Sequence, residues 1–164
     1  MRTALIVIDV QNYFMNEYTR DLPKKLAVHL ETNTYDAVAF TQFINSPSSS
    51  FQKIFGWKKC TGSPEIDICD ELKPWLRRDN VFSKNGFSAF QSAKLLAFLY
   101  QHGIQEVHLC GTDTDACVLA SAFEGFEAGF RPRILYDLCA STNGREYHRY
   151  GKAILERNLE TPPP

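Results

Sequence analysis

Short unbroken apolar runs alternate along this chain with longer stretches of helical spacing. Residues 3–10 are apolar almost throughout and rich in β-branched side chains, the pattern of a strand buried on both faces. Runs at 36–41, 81–82, 106–110 and 133–136 predict four further strands. Between them lie helical patterns. One spans 23–32 and opens on Pro23, where a missing N–H costs least. A second, 88–102, begins with Ser88 and Gln91 in a capping-box spacing, carries Leu95, Leu96 and Leu99 as an apolar stripe, and ends at Gly103. A third, 115–128, places Val118, Leu119, Ala122, Phe123 and Phe126 on one face, and a fourth spans 145–158. Strands alternating with helices imply right-handed βαβ units. The expected fold is a three-layer α/β/α domain over residues 1–160 with a tail at 161–164. Its parallel sheet would have strand order 3-2-1-4-5, with a sixth edge strand left open.

One segment breaks the rhythm. Residues 42–65 show no sustained period, and a loop that long in a compact domain is usually a lid, a binding loop or an interface. Phe51, Phe55 and Trp57 lie in it. Aromatic rings are costly to leave in water, so they are expected to cover something, either a site or a second subunit.

Composition narrows the possibilities. The 164 residues suit one sizeable core, and 44% hydrophobic with 23% charged residues is an ordinary globular balance. A formal net charge of −1 gives no pull toward nucleic acid or an anionic membrane. No apolar run approaches the ~20 residues of a membrane span, and Met1-Arg2-Thr3 leads directly into a strand, so no signal peptide is expected. The five cysteines, Cys60, Cys69, Cys110, Cys117 and Cys139, form no Cys-x-x-Cys pair, which argues against a disulfide framework or a zinc knuckle. A reducing, cytoplasmic setting is expected.

The chemistry concentrates at strand ends. In an open parallel sheet, ligands bind beyond the carboxyl ends of the strands, where the strand order reverses. Asp9 ends the first strand, Lys84 follows the third, and Cys117 stands near the start of the helix after the fourth. A thiolate there is favoured by the helix dipole and unpaired backbone N–H groups, which can also hold an oxyanion. Each residue alone has an ordinary reading: a small buried cysteine, a turn aspartate, a solvated lysine. Together on one sheet edge they form a nucleophile, a base and a cation. From ordinary values of about 3.9 and 8.5, moving the thiol proton to Asp9 costs roughly 6 kcal/mol, so the site must narrow the gap. The resting proton position is a property of the coupled set. Asp115 reads as the N-cap of the helix that presents Cys117.

These residues resemble the isochorismatase-like cysteine hydrolase superfamily, which includes nicotinamidases, N-carbamoylsarcosine amidohydrolases and ureidoacrylate amidohydrolases. Gly111 to Val118 matches Gly-x-x-Thr-Asp-x-Cys-Val, its most specific motif. Asp9-Val10-Gln11-Asn12-Tyr13-Phe14 is similar to the opening Asp-x-Gln-Asn-x-Phe, and Lys84 to Phe90 to the lysine segment. Asp137, Ser141 and His148 fit the late pattern and read as structural. The resemblance implies Cys117 as nucleophile, Asp9 as base and Lys84 as electrostatic partner. It also implies a cis peptide between Thr112 and Asp113 that turns the Asp113 N–H toward an oxyanion, beside the Cys117 N–H. The Asp113 side chain itself would contact substrate or a neighbouring loop. Metal-binding members carry Thr-x-Asp-x-His after the second strand, where this chain has Thr41-Gln42-Phe43-Ile44-Asn45. Phe43 has no donor atom and a neutral amide is a poor zinc ligand, so no metal or other cofactor is expected.

The expected activity is hydrolysis of a C–N bond in a small amide, ureido or carbamoyl compound. Phe14, Phe43, Asn45 and Phe87 are candidates for the substrate pocket. No nucleic-acid or membrane partner is expected, and the resemblance implies a homo-oligomer. Two rivals remain open: a non-catalytic binding or scaffold protein that retains the fold, and a redox role in which Cys110 pairs with Cys117.

Overall fold

The computed structural model describes residues 1–160; the tail expected at 161–164 lies outside them. Five parallel strands form one sheet in the order β3-β2-β1-β4-β5: β1 (Thr3–Ile8), β2 (Ala37–Phe43), β3 (Val81–Lys84), β4 (Glu106–Thr112) and β5 (Arg131–Ala140). This is the expected order. Among the described residues β3 and β5 are the edges, and the sixth strand left open is not found there. Helices α1 (Leu22–Thr32), α2 (Ser50–Phe55), α3 (Ala93–Gln101), α4 (Leu119–Glu127) and α5 (Arg145–Leu155) accompany the sheet in the three-layer arrangement. None is long and apolar enough to cross a membrane.

The core centres on β1, where Ala4 to Ile8 are fully buried between β2 and β4. Strands buried on both faces need no alternation, which is why the apolar run was legible as a strand. It ends at Ile8 and not at residue 10 because Asp9 takes φ 51°, a left-handed conformation that Asp tolerates better than most residues. The β5 edge behaves differently. β5 runs well beyond the expected 133–136 at both ends, with a register shift against β4 between Leu109 and Gly111.

Two helix starts and one helix end differ from expectation. Ser88 caps only a 3-10 turn, Ala89–Gln91, by accepting from Phe90 N; α3 begins after Ser92, whose hydroxyl accepts from Leu95 N. Ala89 N, which would have no acceptor within a helix starting there, donates to Ser121 Oγ. The stretch expected to be helical from 115 opens as a π-helical turn, Thr114–Val118, before α4. Asp113, not Asp115, stands at its N-cap, and its side chain does not cap because it bonds Thr142. The last helix becomes a π-helical turn at Glu156–Glu160. Within the irregular 42–65 segment lies α2, capped by Ser49 and closed by Gly56 at φ 66°.

Candidate active site

The switch point falls between β1 and β4. Asp9 leaves β1, and β4 delivers the turn that carries Cys117. Lys84, two strands away at the end of β3, crosses over β2 to reach them, its Nζ 5.3 Å from the centre of the Phe43 ring. Lys84 Nζ lies 2.6 Å from Asp9 Oδ2 and 3.5 Å from Cys117 Sγ, with both charged side chains 1% exposed. The structure thus brings together the three residues that the sequence singled out.

Lys84 has no freedom to act as a base. Its ammonium also donates to the carbonyls of Gly86 and Phe87, at 2.8 and 3.0 Å. Burial disfavours its charge, but Asp9 and the Cys117 sulfur outweigh that and hold the ammonium above the ordinary lysine value. Asp9 is fixed from β2: Thr41 Oγ1 donates to Asp9 Oδ1 at 2.6 Å and accepts from Asp9 N at 3.1 Å. The contact of Oδ2 with Lys84 is ionic, off the angle of a directed hydrogen bond. Burial pushes the Cys117 thiol far above its ordinary range. The Asp9 charge adds to this, Lys84 opposes it, and a hydrogen bond to Asp9 favours the protonated form. Burial and the neighbouring Asp9 charge thus both favour the neutral thiol over a pre-formed thiolate.

The turn around Cys117 is held from three sides. The Thr112–Asp113 peptide is cis, as the resemblance implied. Ala116 N and Val118 N both donate to Asp113 O, a pattern that does not use the Cys117 N–H. Ser121 Oγ donates to Cys117 O at 2.6 Å and accepts from Ala89 N, tying this turn to the segment after Lys84. Of the two roles open to the Asp113 side chain, it takes the loop contact: its oxygens accept from Thr142 N at 2.8 Å and Thr142 Oγ1 at 2.6 Å. His148 Nδ1 and Thr114 Oγ1 share a hydrogen bond at 2.7 Å that braces the same turn. Cys110 is fully buried in β4 with its sulfur directed to Ile6 O.

Four proposed pocket residues separate into two groups. Phe14, Phe43 and Phe87 join one aromatic cluster through Phe51, whose ring centre lies 5.2 Å from Phe43 and 5.0 Å from Phe87; Phe14 is 6.3 Å from Phe43, and Trp57 stacks on Phe43 at 5.9 Å. Asn45 stands apart. Its amide donates to Trp57 O and Lys59 O and its carbonyl accepts from Ser49, so it frames the loop instead of facing a pocket. Phe55 also leaves the group, at 72% exposed. Cavities of about 380 and 340 Å³ flank Lys84 and Phe87, and neither is lined by Cys117.

The residues present do not fit a metal where the resemblance places one. Phe43 offers a ring packed among aromatics, and the Asn45 amide is fully engaged. Among the described residues, no three His, Cys, Asp or Glu side chains are grouped to hold an ion.

Some supporting residues had a weak signal in the sequence and others none. Thr41 sits in the run that forms β2, and Gln11 in the opening motif; the Gln11 side chain grips Phe43 through both its N and O and thereby fixes the end of β2. Ser121 and Thr142 carry no local mark of their roles.

Comparison with known proteins bears on the family and the fold. The isochorismatase domain model matches residues 3–161. Nicotinamidase 3 of Arabidopsis thaliana is 28% identical over 148 residues, covering 85% of this chain and 74% of its own. An isochorismatase-like hydrolase from Alkaliphilus metalliredigens superposes with a TM-score of 0.84 at 23% identity, over 96% of this chain and 92% of its own. N-carbamoylsarcosine amidase from Thermoplasma acidophilum does so with a TM-score of 0.78 at 22% identity, over 98% and 94%. At those identities the structures speak for the fold, while the domain match spans nearly the whole sequence: the chain belongs to the isochorismatase family.

Proposed function

We propose that this chain is a metal-free cysteine hydrolase that cleaves a C–N bond of a small amide, ureido or carbamoyl compound. The observation that carries the reading is the buried Asp9–Lys84 pair set against the Cys117 sulfur. Burying an ammonium and a carboxylate costs several kcal/mol per ion before their attraction is counted, so such a pair is weak evidence for stability alone. Next to a thiol at the mouth of the switch point, it has a chemical use.

Cys117 gives its proton to Asp9 as the sulfur attacks the substrate carbonyl carbon. The thiol is protonated at rest, so proton transfer accompanies attack. The N–H groups of Asp113 and Cys117 stabilise the tetrahedral oxyanion. Lys84 keeps the site's charge compensated as negative charge moves from carboxylate to sulfur to oxygen. The Asp9 proton then passes to the leaving nitrogen, the C–N bond breaks, and a thioester remains. Water, deprotonated by Asp9, adds to the thioester; the acid departs and the thiol regains its proton. Phe14, Phe43 and Phe87 supply an apolar wall. The reading extends, on the resemblance alone, to a cytoplasmic homo-oligomer.

The test is ammonia release from a panel of small primary amides and N-carbamoyl compounds, run in the presence of a chelator. Turnover of at least one compound is expected, with Cys117→Ala lowering kcat/KM at least about a thousandfold. An acyl adduct on the Cys117 peptide should be trapped by acid quench and mass spectrometry. Turnover that survives Cys117→Ala would sink the mechanism. A folded protein that turns over none of the panel would favour the binding-protein reading.

A further inference from the structure

Among the described residues Asp9 is the one carboxylate in contact with the Lys84 ammonium, and its two oxygens are treated differently. Oδ2 faces Lys84. Oδ1 is taken by a side chain from another strand, the Thr41 hydroxyl, at 2.6 Å. Thr41 is 1% exposed and has no solvent alternative. Its oxygen also accepts from Asp9 N at 3.1 Å, so its single proton is committed to the carboxylate. The same residue therefore meets Asp9 at backbone and side chain, where the backbone adopts φ 51°. Other groups feel the Asp9 charge: Lys84 on β3, Cys117 and Asp113 around the π turn, and Cys60 in the loop. Thr41 thus gives Oδ1 a directed hydrogen bond from a neutral donor, while Oδ2 is left to the ammonium and the thiol.

We propose that Thr41 is a positioning residue for the hydrolysis, its hydroxyl holding Asp9 by Oδ1 so that the carboxylate stays ionised and presents Oδ2 to the ammonium and the thiol proton. This rests on the reading of Asp9 as the base. A hydrogen bond to the charged form of an acid favours that form. Without it, the carboxylate is free to turn and takes the thiol proton more readily before any substrate arrives. The resting site then shifts toward protonated Asp9 and thiolate Cys117. Thr41 thus keeps the proton on sulfur until attack, and its effect passes entirely through Asp9.

The experiment is a double-mutant cycle read by iodoacetamide alkylation of Cys117 at pH 7, resolved by peptide mass spectrometry, with folding checked by circular dichroism. Thr41→Val is expected to alkylate about tenfold faster than the native chain, the equivalent of one hydrogen bond to a charged group. Thr41→Ser, which restores the hydroxyl, should fall within about twofold of native. On an Asp9→Asn background, Thr41→Val should have no effect. Should Thr41→Val not fold, Thr41→Ala enters the same cycle. An acceleration that persists on the Asp9→Asn background would mean that Thr41 acts by packing, and would overturn the proposal. No acceleration on either background would do the same. Asp9→Asn that leaves Cys117 alkylation unchanged would overturn the Asp9 reading as well, which separates the two failures.

Discussion

At the scale of single residues, burial decides what each charged group can do. Lys84, Asp9 and Cys117 were expected as a set whose proton position the sequence leaves open. Burial favours the neutral thiol, and the Asp9 charge beside it adds to this. The lysine lowers the thiol's proton affinity but does not win. Asp113 shows the same force in a supporting residue. Burial raises its carboxyl above the ordinary 3.8, the Asp115 and Asp9 charges add to this, and the two Thr142 hydrogen bonds oppose it. The folded chain therefore binds this proton more tightly than the unfolded chain. Its contribution to stability is full below about pH 3.8 and is lost as pH rises through the folded value. Asp113→Asn keeps an oxygen for Thr142 N and removes the ionisation. Its urea midpoint should exceed that of the native chain at pH 7, with the gap closing toward pH 4. A lower midpoint at pH 7 would show that the carboxylate's bonds outweigh its burial.

At the scale of elements, the segment 42–65 and the turn before α4 carry most of what is particular to this chain. The segment is organised by rings and caps and not by periodicity. Ser49 starts α2, Gly56 ends it, and Asn45 ties its base to Trp57 and Lys59. Phe51 is its joint, touching Phe43, Trp57 and Phe87. Phe51→Ala should loosen the loop without unfolding the sheet, seen as several-fold faster tryptic cleavage after Lys53, Lys58 and Lys59. An unchanged cleavage rate would show that the caps alone hold the loop. The π turn depends on close approach by α5. A Cβ on Gly151 would lie 2.8 Å from Thr114 O and 2.9 Å from the Asp115 backbone. Gly151→Ala is expected to destabilise by about 1–3 kcal/mol in denaturant melts, because neither backbone can yield cheaply. A midpoint equal to native would mean that α5 can shift.

At the scale of the whole molecule, strand order is what makes a site. Asp9, Lys84 and Cys117 belong to three strand ends that only the order 3-2-1-4-5 sets around one crevice. The central contact of that arrangement is β1 against β4, closest at Gly111. There φ is 120°, and a Cβ would lie 2.1 Å from Ile8 O. Gly111→Ala combines a disfavoured backbone conformation with a collision between the two central strands. A loss of about 3 kcal/mol or more is expected in guanidinium denaturation, and a native-like midpoint would contradict the tight approach.

The sequence by itself determined the strands, their alternation with helices, and the motif residues that end them. Those features rest on local physics: unbroken apolar runs mark strands buried on both faces, and Asp9, Lys84 and Cys117 are polar breaks at the ends of such runs or just beyond. Helix starts were less legible. Ser88 does cap, but only a 3-10 turn, whose first N–H bonds Ser121, 32 residues away. Asp115 looked like a cap because the commitment of Asp113 to Thr142, 29 residues on, leaves no trace nearby. Thr41 was one polar residue in a strand until the fold set it against Asp9, 32 residues back. Asn45 was a pocket candidate until the loop closed on its amide. Only the tertiary structure decided these partners and the burial that favours the neutral thiol. Hydrogen bonding and desolvation act on neighbours in space, and the sequence carries only neighbours along the chain.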